Sequence, residues 1–233
     1  EINLIDTPGH VDFSAEMERV LSVLDMAVIM INGQDGVQAH TKTIWNCLQH
    51  YGVPCILFLN KMDISHYTKE ELLRNLEEQC SDMCVYWDEN RYDTLAMASD
   101  EILEEYTETA SVSDTLVRKA FKERKFFPVL SGSALKNNGI DELMDLISLL
   151  SEEREYPEQF GARVFKVSED QGVHLVHMKI TGGVLHARDR LSEEDKADQI
   201  RRYNGLRYDL LMEAGGGEVV CIKGISSLEA GAG

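Results

Sequence analysis

Four short apolar runs, at residues 2–6, 26–32, 54–60 and 127–131, each end in a polar residue. Unbroken apolar runs of this length suit strands buried on both faces of a parallel sheet. Between them the apolar positions repeat at helical spacing. Met17, Val20, Leu21 and Leu24 mark one stripe, and Ile44, Cys47, Leu48 and Tyr51 mark another. Residues 69–125 read as three more helices, with stripes of Leu72, Leu73, Leu76, Cys80 and Met83, then Ile102, Leu103 and Tyr106, then Leu116, Val117, Ala120 and Phe121. A last helix carries Ile140, Leu143, Met144 and Ile147 on one face. This alternation predicts an α/β, doubly wound sheet with its ligand loops at the carboxyl ends of the strands.

Near residues 152–157 the pattern changes. A charged stretch, Glu152-Glu153-Arg154-Glu155, precedes Pro157 as a linker would. Beyond it lie shorter strand-like pieces at 162–167, 174–180 and 219–225, with Gly182-Gly183 and Gly215-Gly216-Gly217 as turns. The expected division is an α/β domain over 1–156 and an all-β domain, cut short, over 157–233.

Two of the predicted strands end in residues suited to a nucleotide. The first runs into Asp6-Thr7-Pro8-Gly9-His10 and the third into Asn60-Lys61-Met62-Asp63. A carboxylate accepts two hydrogen bonds at once, so Asp63 suits the paired N1–H and N2–H donors that guanine has and adenine lacks. Lys61 can lay its stem over the ring, and Asn60 can tie neighbouring loops together. Gly9 has no side chain to keep its N–H from a terminal phosphate. Asp6 is the candidate Mg²⁺ residue, acting through water because Mg²⁺ keeps several of its waters. A third motif, Ser133-Ala134-Leu135, follows the fourth strand; its small residues allow a backbone N–H to approach the guanine O6.

In this order the three motifs resemble the translational GTPases, and Asp-Thr-Pro-Gly-His is the form taken by ribosome-stimulated factors. Val11-Asp12-Phe13 and Asp35-Gly36-Val37-Gln38 are similar to elongation factor G and its relatives. Only 67 residues separate Asp63 from Ser131, fewer than elongation factor G carries there. With Arg163-Val164-Phe165-Lys166-Val167 and Gly183-Val184-Leu185-His186, this spacing resembles the Tet-type ribosomal protection branch. The resemblance implies a P-loop-type G domain followed by part of a β-barrel second domain. It further implies GTP or GDP with Mg²⁺ as cofactors, and the ribosome, both RNA and protein, as partner. His10 would be the catalytic residue, orienting the attacking water by positioning rather than as a strong base. Elongation factor G or release factor three proper is the alternative within the class. A module that binds nucleotide or ribosome without hydrolysis is the alternative outside it.

No Gly-x-x-x-x-Gly-Lys-Ser/Thr occurs among the 233 residues, and the chain starts at Glu1 without Met. The reading is therefore a piece of a longer protein, with weak nucleotide binding and no GTPase activity of its own. The formal charge of −18 argues against broad attraction to phosphate backbones, so no DNA partner is expected. No run approaches the roughly 20 apolar residues of a membrane span, and no signal peptide is visible. A cytoplasmic monomer with reduced thiols is expected, since the five cysteines form no Cys-x-x-Cys. Cys80 and Cys84 stand at helical spacing. His174 and His177 do not suggest a metal pair, because residues three apart on a strand point to opposite faces.

Overall fold

The computed structural model describes residues 2–7, 14–170, 172–192 and 195–233. These form two compact units, residues 24–152, and residues 1–23 with 153–233.

The first unit is built on a parallel sheet of β1 (Ala27–Asn32), β2 (Cys55–Asn60), β3 (Cys84–Tyr86) and β4 (Phe127–Ser131), in the order β1-β2-β4-β3. Leu57 is in register with Ile29 on one side and Val129 on the other. The sequence of β2, Cys-Ile-Leu-Phe-Leu-Asn, explains its central place. Its first five residues are fully buried, which a strand between two neighbours and under helices on both faces requires. Successive side chains alternate between faces. Ile56 and Phe58 join Val85, Phe121, Phe126, Leu130 and Leu146 in one cluster. In that cluster lie side chains of α5 (Asp100–Thr109), α6 (Asp114–Lys122) and α7 (Ile140–Leu150). Elsewhere in the unit, Trp45 of α2 (Ala39–His50) meets Phe127 edge-on at 4.5 Å.

Helix α3 (Lys69–Gln79) starts where its sequence says it should. The Thr68 hydroxyl accepts from Glu71 N at 3.2 Å and the Glu71 carboxylate accepts from Thr68 N at 2.8 Å, which satisfies two amides that the first turn leaves unpaired. The helix is shorter than its stripe implied. It stops at Gln79, Cys80 caps it, and Cys84 opens β3, so Cys80 and Cys84 do not share a helical face. Between β3 and α5 the chain adds a further short helix, α4 (Arg91–Leu95).

Residues 2–6 do not form the strand their apolar run predicts. They carry no regular structure, and Ile2 and Leu4 are exposed. An apolar run becomes a strand only when a neighbour takes up its backbone groups, and among the described residues none pairs with it.

In the second unit a five-stranded antiparallel sheet contains β5 (Gly161–Asp170), β6 (Val173–Gly182), β8 (Gln199–Asn204), β9 (Arg207–Leu211) and β11 (Val219–Lys223). Their order is β5-β6-β11-β8-β9, and β7 (Val184–His186) pairs with β10 (Glu213–Gly215). Val176, Ile180, Ile200, Ala214 and Ile222 fill its core. Helix α1 (Ser14–Leu21) packs on β5, and Lys179 donates to the Val23 carbonyl just beyond that helix at 3.0 Å. Asp195 is buried within the unit. It accepts from the amides of Ser226 at 2.8 Å and Ser227 at 3.2 Å and from the Ser227 hydroxyl. These bonds, the Ser227 hydroxyl first, hold its carboxyl below the ordinary value.

Candidate guanine-nucleotide site

Parallel pairing of β1, β2 and β4 brings their carboxyl ends, Asn32, Asn60 and Ser131, to one edge of the sheet. Asn60 fastens the loops that leave that edge. Its Oδ1 accepts from Lys61 N at 2.8 Å and from Ala134 N at 2.9 Å, the latter across 74 residues of sequence. Two backbone bonds run alongside, Gly132 N to Leu59 O at 2.9 Å and Met62 N to Gly132 O at 3.0 Å. To do this the chain turns at Lys61 into the left-handed region, at φ 62°. That conformation costs an L residue energy and survives where surrounding bonds fix it.

The Ser-Ala loop closes on itself. Ser133 and Asn138 exchange backbone bonds at 3.0 Å each, around a 3₁₀ turn over Ala134–Lys136. Gly132 is required here, because a Cβ at that position would lie 2.1 Å from the Asn138 carbonyl. Ser133 is buried, whereas Leu135 stands 95% exposed at the rim. The amides of Ser133 and Ala134 are already engaged, with Asn138 and Asn60 respectively.

Asp63 follows the Asn60 turn with its side chain 20% exposed. Its Oδ2 lies 3.0 Å from the Lys136 ammonium. Hydrogen bonds from Lys136 first, and from the Ser133 hydroxyl next, hold the Asp63 carboxyl below its ordinary value, so it is an acceptor-only group at neutral pH.

The structure thus brings together Asn60, Lys61, Met62, Asp63, Ser133, Ala134 and Leu135. Asp6 and Thr7 are exposed and belong to the other compact unit. Pro8, Gly9 and His10 lie outside the described residues.

Several residues that support the site were not picked out from sequence. Gly33 N donates to the Asn60 carbonyl at 2.7 Å, the Ser65 hydroxyl donates to the Gly33 carbonyl at 2.7 Å, and Gln34 Nε2 reaches the Ile64 carbonyl at 3.3 Å. A Cβ on Gly33 would sit 2.7 Å from the Met62 sulfur. On the other side, the Tyr86 hydroxyl shares a 2.6 Å hydrogen bond with the hydroxyl of Ser131, at the start of the Ser-Ala loop. The Lys69 ammonium lies 5.3 Å from the centre of the Tyr86 ring. Only Gly33, in a Gly-Gln-Asp-Gly run after an apolar strand, carried a turn signal in the sequence.

A parallel sheet carrying these two loops at its carboxyl edge is joined in sequence to an antiparallel β unit. The elongation factor Tu GTP binding domain matches residues 1–153, and the chain belongs to that family. It is 32% identical to the tetracycline resistance protein TetM of Ureaplasma urealyticum, the alignment covering 96% of this chain and 39% of that protein. With TetS of Listeria monocytogenes the identity is 30%, again over 96% of this chain and 39% of the relative. The chain therefore spans about two fifths of the length of these relatives. The crystal structure of ttk003000868 from Thermus thermophilus has the same fold, with a TM-score of 0.79 at 19% identity, over 97% of this chain and 42% of that one. Both the α/β unit and the antiparallel β unit expected from sequence are present. Among the described residues no helix is long and apolar enough to cross a membrane.

Proposed function

We propose that these 233 residues are the guanine-nucleotide domain, over 1–156, and part of the β-barrel second domain, over 157–233, of a ribosome-dependent GTPase of the ribosomal protection type. The observation that carries the reading is the Asn60 to Ala134 bond, which joins the Asn-Lys-Met-Asp and Ser-Ala loops around the acceptor-only carboxylate of Asp63. The identity to tetracycline resistance proteins supports the choice of branch.

In this reading Asp63 accepts from guanine N1–H and N2–H, and the stem of Lys61 covers one face of the ring. Leu135 stands at the rim, and its amide, next in the turn after the engaged amides of Ser133 and Ala134, is the donor assigned to O6. The oxygen-rich chemistry of Asp6 fits Mg²⁺, held through water, which would neutralise charge on the phosphates. Gly9, with no side chain to block close approach, offers its N–H to the terminal phosphate, and His10 positions the attacking water. Phosphoryl transfer asks little of the protein beyond such positioning and charge stabilisation. Ribosomal RNA and protein are the partners, and the factor acts as a cytoplasmic monomer.

The test is His10→Ala in the longer factor, assayed by single-turnover GTP hydrolysis with ribosomes. Hydrolysis falls by a factor of roughly 100 or more while GTP affinity is kept, the scale expected for a lost catalytic positioning group. Hydrolysis as fast as wild type removes His10 from catalysis.

A further inference from the structure

The carboxylate assigned to the base is already occupied. Lys136 reaches Asp63 from the end of the 3₁₀ turn, two residues past Ala134, and places its ammonium 3.0 Å from Asp63 Oδ2. The Ser133 hydroxyl takes part as well. An ammonium offers up to three N–H donors, and a guanine edge offers two. Both are cationic or polar N–H groups directed at the same acceptor. The Lys136 side chain is 62% exposed, so most of it already stands in solvent.

We propose that Lys136 is a built-in competitor of the base: it fills the Asp63 carboxylate with the kind of donors that a guanine edge supplies, and the base enters by displacing it. The inference rests on the reading of Asp63 as the base-recognition residue. Two consequences follow from an ion pair whose ammonium stands largely in solvent. Breaking the pair is cheap, costing about a two- to five-fold loss of affinity for any base that needs Asp63. The pair is also screened by salt. Guanosine carries no charge to be screened, so its affinity rises as salt is added. GTP and GDP respond in the opposite direction where phosphate contacts dominate.

The experiment titrates this chain with guanosine, following the backbone amides of residues 60–63 and 133–136 by NMR, in wild type, Lys136→Met and Asp63→Asn. Methionine keeps the length of the stem and removes the charge. Lys136→Met is expected to bind guanosine about two- to five-fold tighter. Wild-type affinity is expected to rise from about 0.1 to 1 M salt, as the Debye length falls from about 10 to 3 Å, and Lys136→Met to lose that response. A Lys136→Met chain that binds guanosine no tighter than wild type, or that keeps the same salt response, overturns the proposal. Asp63→Asn separates the two failures. If it leaves the preference for guanosine over xanthosine unchanged, the base reading itself is wrong. If the preference moves to xanthosine but Lys136→Met brings no gain, only the competitor role falls.

Discussion

Asn60 Oδ1 accepts the amide of Ala134 at 2.9 Å, and with it two loops 74 residues apart become one surface. The same oxygen takes the Lys61 amide at 2.8 Å, which helps hold Lys61 in its left-handed turn. One side chain therefore fixes both the turn that leads into Asp63 and the loop that carries Ser133 and Lys136.

Replacing it should disturb stability and base binding together. Asn60→Ala leaves the Lys61 and Ala134 amides without their acceptor, at a cost of about 1–3 kcal/mol in unfolding free energy. Guanine-nucleotide affinity should fall by about tenfold or more, because the loops lose their register. Urea unfolding and nucleotide titration of the same variant check both. An affinity loss with full stability would mean that Asn60 contacts the base and does not fasten the loops.

The buried Asp195 ties pH to the stability of the β unit. Its folded pKa lies below the usual value, chiefly through the Ser227 hydroxyl and the Ser226 amide, whereas unfolded Asp titrates near 3.9. A lowered folded pKa stabilises the protein above the unfolded value, and that stabilisation is lost as pH falls through the folded one. Unfolding followed from about pH 5 to pH 2 should therefore show stability falling with acid. Asp195→Asn should start less stable and fall less steeply over that range. An equal slope in both proteins would assign the acid response to other carboxylates.

The elements that the sequence made legible are those whose environment is uniform along their length. Strand β2 is buried on both faces, so its five apolar residues announce it without any periodicity. Strand β3 is equally buried at Cys84 and Val85, but three residues are too few to show a pattern, and Met83 and Cys80 blended with the preceding helical stripe. In the β unit, β8 reads Gln-Ile-Arg-Arg-Tyr-Asn, and its buried Arg201 hides it from a hydropathy reading. That guanidinium is held by Gln199 and lies 4.4 Å from the Tyr208 ring centre. The run at 2–6 misled in the other direction, since composition cannot supply a ladder partner. The loops of Asn60 and Ala134, which the fold joins, were legible because each follows an apolar strand end, β2 and β4. The Lys136 to Asp63 pair was not, because it depends on how the 3₁₀ turn aims a side chain.

For this chain alone, nucleotide binding should be weak. It carries no Gly-x-x-x-x-Gly-Lys-Ser/Thr to cradle the phosphates, and its net charge is −18. Each charge-assisted bond missing is worth roughly 1.5–3 kcal/mol, so three cost on the order of a thousandfold in affinity. GTP turnover should be undetectable. Titration calorimetry with GDP and Mg²⁺ measures this directly, and a dissociation constant of about a micromolar or tighter would place most of the affinity in the loops of Asn60, Asp63 and Ala134.

Whether the Asp63 loop reads guanine for a ribosome-stimulated hydrolysis is decided in one assay. Asp63→Asn replaces an acceptor with a donor, which suits the carbonyl that xanthine carries where guanine carries its amino group. In the longer factor, ribosome-stimulated hydrolysis by Asp63→Asn should move from GTP to XTP, with wild type showing the reverse preference. An Asp63→Asn factor that still hydrolyses GTP in preference to XTP on ribosomes would remove Asp63 from base recognition.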